Sequence, residues 1–400
     1  MALAFDPQSG VRTVARPDRA VQYILATVFL VDILTTLIVF GYGNNYLIKI
    51  IEAPSAAPAF ALGVYGLVKF VTAPLSGLLT DRAAARVSVV LAAVLQAGGL
   101  GVMLAVRDAA GFIVGAGILS AGTTLLWLLV FHALASAVKP EARGSATAYM
   151  GIVTSIGVGA GFAAAAVLAE ARPALVFLVG AVLGGGSALL LWPVFGSGTV
   201  HRPRDVEDEP AEAPRTSRPE WAASAVTFAH FFAVNATIGA LGPFALEQLD
   251  LSLRQVAGLL APAIVVAGLA MLLIGRRSRQ GRRLREATPV YALGAVALLA
   301  TAFSPQPLSF AVGMAFVGAA VGGATPLLNS ARVDLTTLSS APGRMLGRVL
   351  FAEGLGSFIG PIAVGLVIAV GDIRAGAVAA ALMFGAVTLV TAAAARLVRL

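Results

Sequence analysis

The chain has 400 residues, 58% of them hydrophobic and 12% charged. Soluble domains carry about 25% charged residues, so the composition excludes a soluble globular protein and defines a polytopic membrane protein. With no cysteine and three scattered histidines the chain offers neither disulfides nor a metal-ligand cluster, and its net charge of +8 follows membrane topology rather than a nucleic-acid partner.

In chain order, the first twenty residues carry Arg12, Arg16 and Arg19 ahead of an apolar run too long for a signal-peptide core and without a cleavage site, which reads as an uncleaved first span. Apolar runs of about 20 residues cross a bilayer core as helices, and no alternating barrel pattern competes. Six spans are expected at Val21–Gly41, Ala59–Leu78, Val87–Val106, Gly111–Ala135, Ser145–Leu168 and Ala174–Phe195. Six more are expected at Ala222–Phe244, Val256–Ile274, Ala287–Phe303, Ser309–Asn329, Leu346–Val370 and Arg374–Ala395. Between the two sets, residues 196–220 are rich in proline and in charges of both signs, the composition of a flexible linker. The expected fold is an all-α membrane protein with twelve transmembrane helices in two pseudo-symmetric six-helix bundles, residues 1–195 and 221–400. Placing both termini in the cytoplasm gathers most basic residues on that side, including the run Gly275 to Arg285, as an inner-membrane protein requires.

Charge at mid-depth in a bilayer costs several kcal/mol unless it is paired or wetted, so ionisable residues within spans are functional candidates. Asp32 lies roughly 17 Å along the first span at 1.5 Å per residue, and Lys69 lies at a similar depth in the second. Adjacent antiparallel helices bring such residues within reach, either as a proton or substrate site whose carboxylate is released by protonation, or as a permanent structural pair. Glu353, a third of the way into the eleventh span, is a second protonatable candidate or a gate partner for Arg332 or Arg348. Polar stripes mark other spans: Thr35 and Thr36 beside Asp32; Ser120, Thr123, Thr124 and Trp127; Thr227, His230 and Asn235; Thr325 and Asn329. They suit a moderately polar cavity, or hydroxyls bonded back to their own helices. Gly157 and Gly161 in the fifth span, and Gly356, Gly360 and Pro361 in the eleventh, repeat a small-residue packing face in both halves.

Twelve spans around a charged linker resemble the major facilitator superfamily. The corner after the second span matches its signature G-x-L-x-D-R-x-G-R-[KR] at Gly77, Leu79, Asp81, Arg82 and Arg86, with Ala84 and Ala85 in place of a glycine and a basic residue. The fifth-span motif G-x-x-x-G-P matches at Gly157 and Gly161 with Phe162 for proline, and is complete at Gly356, Gly360 and Pro361. Tyr65 to Arg82 is most similar to the drug–proton antiporters, including the tetracycline efflux proteins, which also carry an acidic residue comparable to Asp32. It departs from them in having Lys69 for an uncharged polar residue and no arginine in the fourth span. The resemblance implies alternating access, a central cavity lined by the first, fourth, seventh and tenth spans, and a gating role for Gly77, Asp81, Arg82 and Arg86. The expected function is proton-coupled efflux of a small organic compound by a monomer embedded in the lipid bilayer, with protons as coupling ion and no cofactor. The alternatives are uptake or exchange of a metabolite, and a non-transporting receptor or scaffold. No serine–histidine–acid constellation or nucleotide-binding loop points to an enzyme.

Overall fold

Twelve long helices carry nearly all of the described chain. The computed structural model describes residues 2–5, 12–15, 19–82, 85–138, 143–195, 218–277, 283–303, 305–338 and 342–397, with backbone alone at 2–5, 12–15, 77–82, 135–136, 143–145, 147–148, 218–219, 275–277, 283, 330–338 and 342–346. The helices are α1 (Arg19–Ile50), α2 (Ala57–Arg82), α3 (Ala85–Ala105), α4 (Ala109–Ala137), α5 (Arg143–Val167) and α6 (Pro173–Leu191). In the second half they are α7 (Arg218–Pro243), α8 (Leu253–Arg277), α9 (Arg283–Phe303), α10 (Pro307–Leu338), α11 (Pro342–Val370) and α12 (Ile373–Leu397). Ahead of them, β1 (Ala2–Phe5) pairs antiparallel with β2 (Arg12–Ala15). A helix satisfies its own backbone, which is what hydrocarbon demands of a spanning segment. Each span expected from the apolar runs is matched by one helix long and apolar enough to cross a membrane.

Two boundaries differ from the sequence reading. The first span does not stop at Gly41: Gly-Tyr-Gly-Asn-Asn looks like a turn, yet the helix continues to Ile50 by widening into π winding over Thr36–Tyr42 and Tyr46–Ile50. There a Cβ at Gly41 would lie 2.7 Å from Ala165, a Cβ at Gly43 2.5 Å from Phe112, and the Asn44 amide donates to the Phe40 carbonyl at 2.7 Å. These glycines mark close packing within a helix. The expected linker is also shorter at its far end, because α7 already begins at Arg218. The rest of it, 196–217, lies outside the described residues, as does 278–282 of the basic run.

Side chains cap several helices between spans. Asp108 accepts from the Gly111 amide at 2.7 Å to start α4, and Asp372 from the Ala375 amide at 2.6 Å to start α12. Ser252 and Gln255 form a reciprocal capping box at α8, with Gln255 accepting from the Ser252 amide at 2.8 Å and Ser252 from the Gln255 amide at 3.3 Å. α1 and α7 end alike, for Phe244–Gln248 also winds as a π segment after α7. Each is followed by an acidic residue in left-handed conformation, Glu52 at φ 57° and Asp250 at φ 48°.

In the first half α1 packs on α5 and α6, and α4 on α2 and α3; in the second α7 packs on α11 and α12, and α10 on α8 and α9. The Tyr46 ring meets Phe112 at 5.7 Å, and Phe244, at the matching place in the second half, meets Phe310 at 6.4 Å. Between the halves α2 lies along α11, and α5 along α8. Beyond the ends of α1 and α7, Ser55 Oγ donates to Glu247 Oε2 at 2.6 Å and Lys49 Nζ stands 3.8 Å from Asp250. Large apolar side chains such as Val94, Leu189 and Leu389 cover the exposed outer faces, where lipid would lie.

Candidate substrate and coupling site

α2 and α11 approach so closely that the contact is largely backbone on backbone. A Cβ at Gly66 would collide with the Ser357 main chain, and one at Gly354 would lie 2.6 Å from the Phe70 backbone. Phe70 and Phe351 stack across the seam with centroids 4.3 Å apart. Into this seam, halfway along both helices, project Lys69 and Glu353, whose ammonium and carboxylate form an ion pair. The glutamate side chain is 7% exposed and the lysine 18%. Lys69 Nζ also lies 5.5 Å above the Phe231 ring of α7, so the cation is held by a carboxylate and an aromatic face together.

The partner of Lys69 is therefore Glu353, not Asp32. Asp32 is turned toward α5, where Gly157 leaves room: a Cβ there would lie 2.9 Å from Asp32 Cβ. Thr154 is its hydrogen-bonding neighbour, while Oδ2 is buried with no hydrogen-bond partner among the described residues. One turn on, Gly161 receives Thr36, whose hydroxyl is likewise buried without a partner. The equivalent glycines of α11, Gly356 and Gly360, receive the main chain of Phe228 and Phe232 on α7, and Pro361 lies beside Gly239. Arg348, the alternative partner considered for Glu353, instead stands 3.7 Å from Glu220 at the start of α7. Arg332 lies outside the residues whose side chains are described.

The polar stripes divide. Tyr65 OH lies 2.8 Å from Thr123 Oγ1 and Ser120 donates to the Tyr65 carbonyl at 2.6 Å, tying α2 to α4. Asn235 Nδ2 donates to Ser357 Oγ at 3.1 Å, tying α7 to α11 close to Glu353. Thr124 is buried with an unpartnered hydroxyl, Thr35 is half-buried beside Asp32, and Trp127 packs on Phe131 at 5.7 Å. His230 points away from the seam into the second half, with Nδ1 2.7 Å from Tyr291 OH of α9. Thr325 donates to its own helix at Val321 O, 2.7 Å away, and Asn329 is half-buried one turn further. Among the gating candidates Arg86 is exposed and sits 5.3 Å from the Trp192 ring, and the side chains of Gly77, Asp81 and Arg82 lie outside the described residues.

A chamber of about 230 Å³ opens nearer the other end of the helices, between α1, α5, α7, α8 and α10. Phe40, Phe162, Leu260, Ile264, Met314 and Val317 give it apolar walls, with Asn44 and Thr237 as its polar side chains. The stripes do not point to it, because a search for polar residues passes over an apolar cavity. The signal in the sequence was the unusually small residues Gly41, Gly242 and Gly318 on its walls.

A bundle of twelve membrane-crossing helices with a charged seam between halves and a ligand-sized chamber defines a polytopic membrane transporter. The sequence matches the Major Facilitator Superfamily over residues 24–341, and the chain belongs to that superfamily; it is a transporter and not an enzyme. The fold is similar to the crystal structure of the human organic anion transporter MFSD10 (TETRAN), with a TM-score of 0.68, 15% identity, and 93% of this chain and 99% of that one covered. No curated protein sequence matches significantly.

Proposed function

We propose that this transporter exports a small organic compound by alternating access, coupled to proton entry through Glu353 and Asp32. The observation that carries the reading is the Lys69–Glu353 pair, which joins the halves across α2 and α11. A proton delivered to Glu353 removes the charge that holds Lys69 and loosens the seam. Reloading the pair draws α2 and α11 together again. Asp32, with one buried oxygen unengaged, is the second proton carrier. In this reading residues 1–195 and 221–400 rock as two bundles about the linker, both termini face the cytoplasm across an inner membrane, Asp81 and Arg82 gate that face, and the monomer is the working unit.

Proteoliposomes loaded with the pH dye pyranine test the coupling. Wild-type protein moves protons when a transported member of a panel of organic compounds is added, and Glu353→Gln abolishes that movement while compound exchange without a gradient persists. Proton movement by Glu353→Gln equal to wild type overturns the role of Glu353.

A further inference from the structure

We infer that the chamber between α1, α5, α7, α8 and α10 takes an uncharged, largely apolar substrate and orients it through one hydrogen bond to Thr237. The inference rests on the exporter reading and adds the substrate's chemistry. No Lys, Arg, Asp, Glu or His stands among the described residues that line the chamber. An ion taken from water into such walls loses hydration that nothing repays, at a cost that excludes it. The Lys69–Glu353 pair is not on the lining, so it offers an anion or cation in the chamber no counter-charge.

The polar lining narrows the choice. Thr237 spends its single hydroxyl proton on the Ala233 carbonyl, at 2.8 Å, so toward a ligand its oxygen is an acceptor only. Asn44 is fixed by its bond to Phe40 O and lies against Gly242, where a Cβ would be 2.7 Å from its amide nitrogen. The chamber therefore favours a molecule with an apolar body and one O–H or N–H. A bicyclic aromatic alcohol is the right scale for about 230 Å³. Substrate and coupling proton then occupy separate places, and the link between them is the movement of α7, which carries Thr237 to the chamber and Phe231 to the ion pair.

The full chain in lipid nanodiscs is tested with tritiated 2-naphthol as probe, by scintillation proximity, against naphthalene, 2-methoxynaphthalene and 2-naphthoate. Saturable 2-naphthol binding is expected. Naphthalene and 2-methoxynaphthalene should compete about tenfold more weakly, the scale of one hydrogen bond, and 2-naphthoate not at 100-fold excess. Thr237→Val should weaken 2-naphthol to the level of naphthalene and leave naphthalene unchanged, and Leu260→Trp, which fills the chamber, should remove binding of both. Displacement by 2-naphthoate as effective as by 2-naphthol, binding unaffected by Leu260→Trp, or no saturable binding overturns the inference. No gradient is applied, and Glu353→Gln should bind as wild type, so a failure of proton coupling alone leaves this result untouched.

Discussion

At the scale of single residues, the Lys69–Glu353 pair dominates. Removing one partner of a buried ion pair leaves an uncompensated charge and costs about 3–5 kcal/mol, whereas replacing both costs far less. Lys69→Met should therefore lower the thermal midpoint of the detergent-solubilised protein well below that of the Lys69→Met/Glu353→Gln double variant; equal losses would show that the two side chains do not depend on each other. Both charges are conspicuous in the sequence because hydrocarbon tolerates few. Their pairing is not, since 284 positions separate them and the nearer acid, Asp32, competes for attention. What decides the partner is the face of α2 that meets α11, and the clue is a glycine beside each charge, Gly66 one turn before Lys69 and Gly354 immediately after Glu353. His230 and Thr325 illustrate the opposite case: polar residues on expected spans whose bonds are made within their own half.

At the scale of elements, the spans are legible because each is a continuous apolar run bounded by charge or proline. Their ends are less so, as α1 shows: glycine and asparagine there serve packing and a helix-internal bond rather than a turn. Glycine by itself does not distinguish the two uses, but the space around it does. Gly66→Ala should push α2 off α11, costing about 1–3 kcal/mol of overpacking and most of the transport rate. Gly101→Ala, where nothing lies within 4 Å, should leave transport unchanged and raise stability by about 0.5–1 kcal/mol. Purified yield, thermal midpoint and transport of the two variants side by side check this, and a Gly66→Ala protein indistinguishable from Gly101→Ala would contradict the backbone contact. The Gly157/Gly161 and Gly356/Gly360 pairs were visible in sequence as repeated spacing, while the partners they admit, α1 and α7, required the fold.

At the scale of the whole molecule, contacts beyond α1 and α7 join the halves at the end away from the chain termini, through Ser55 with Glu247 and Lys49 with Asp250. The second pair is exposed and worth about 0–1 kcal/mol, too little to lock anything alone, so opening there is inexpensive. Because the chain has no cysteine, Ser55→Cys/Glu247→Cys can be bridged cleanly by a short bis-thiol reagent. Bridging should arrest transport and reduction of a cleavable bridge should restore it; transport that continues while bridged would mean that this end does not open in the cycle. The duplication was legible in the glycine motifs, but not in the π-wound ends, since no residue pattern announces a π turn. Such a turn holds one residue more than α winding would. Deleting a single residue from 46–50 or from 244–248 would restore ordinary winding and rotate everything beyond it by about 100°. Glu52 or Asp250 would then lose its left-handed seat, and Ser55 would turn away from Glu247. Insertions and deletions that surface loops absorb freely are thus forbidden at these two places, and an even count of changes, one in each half, would not cancel.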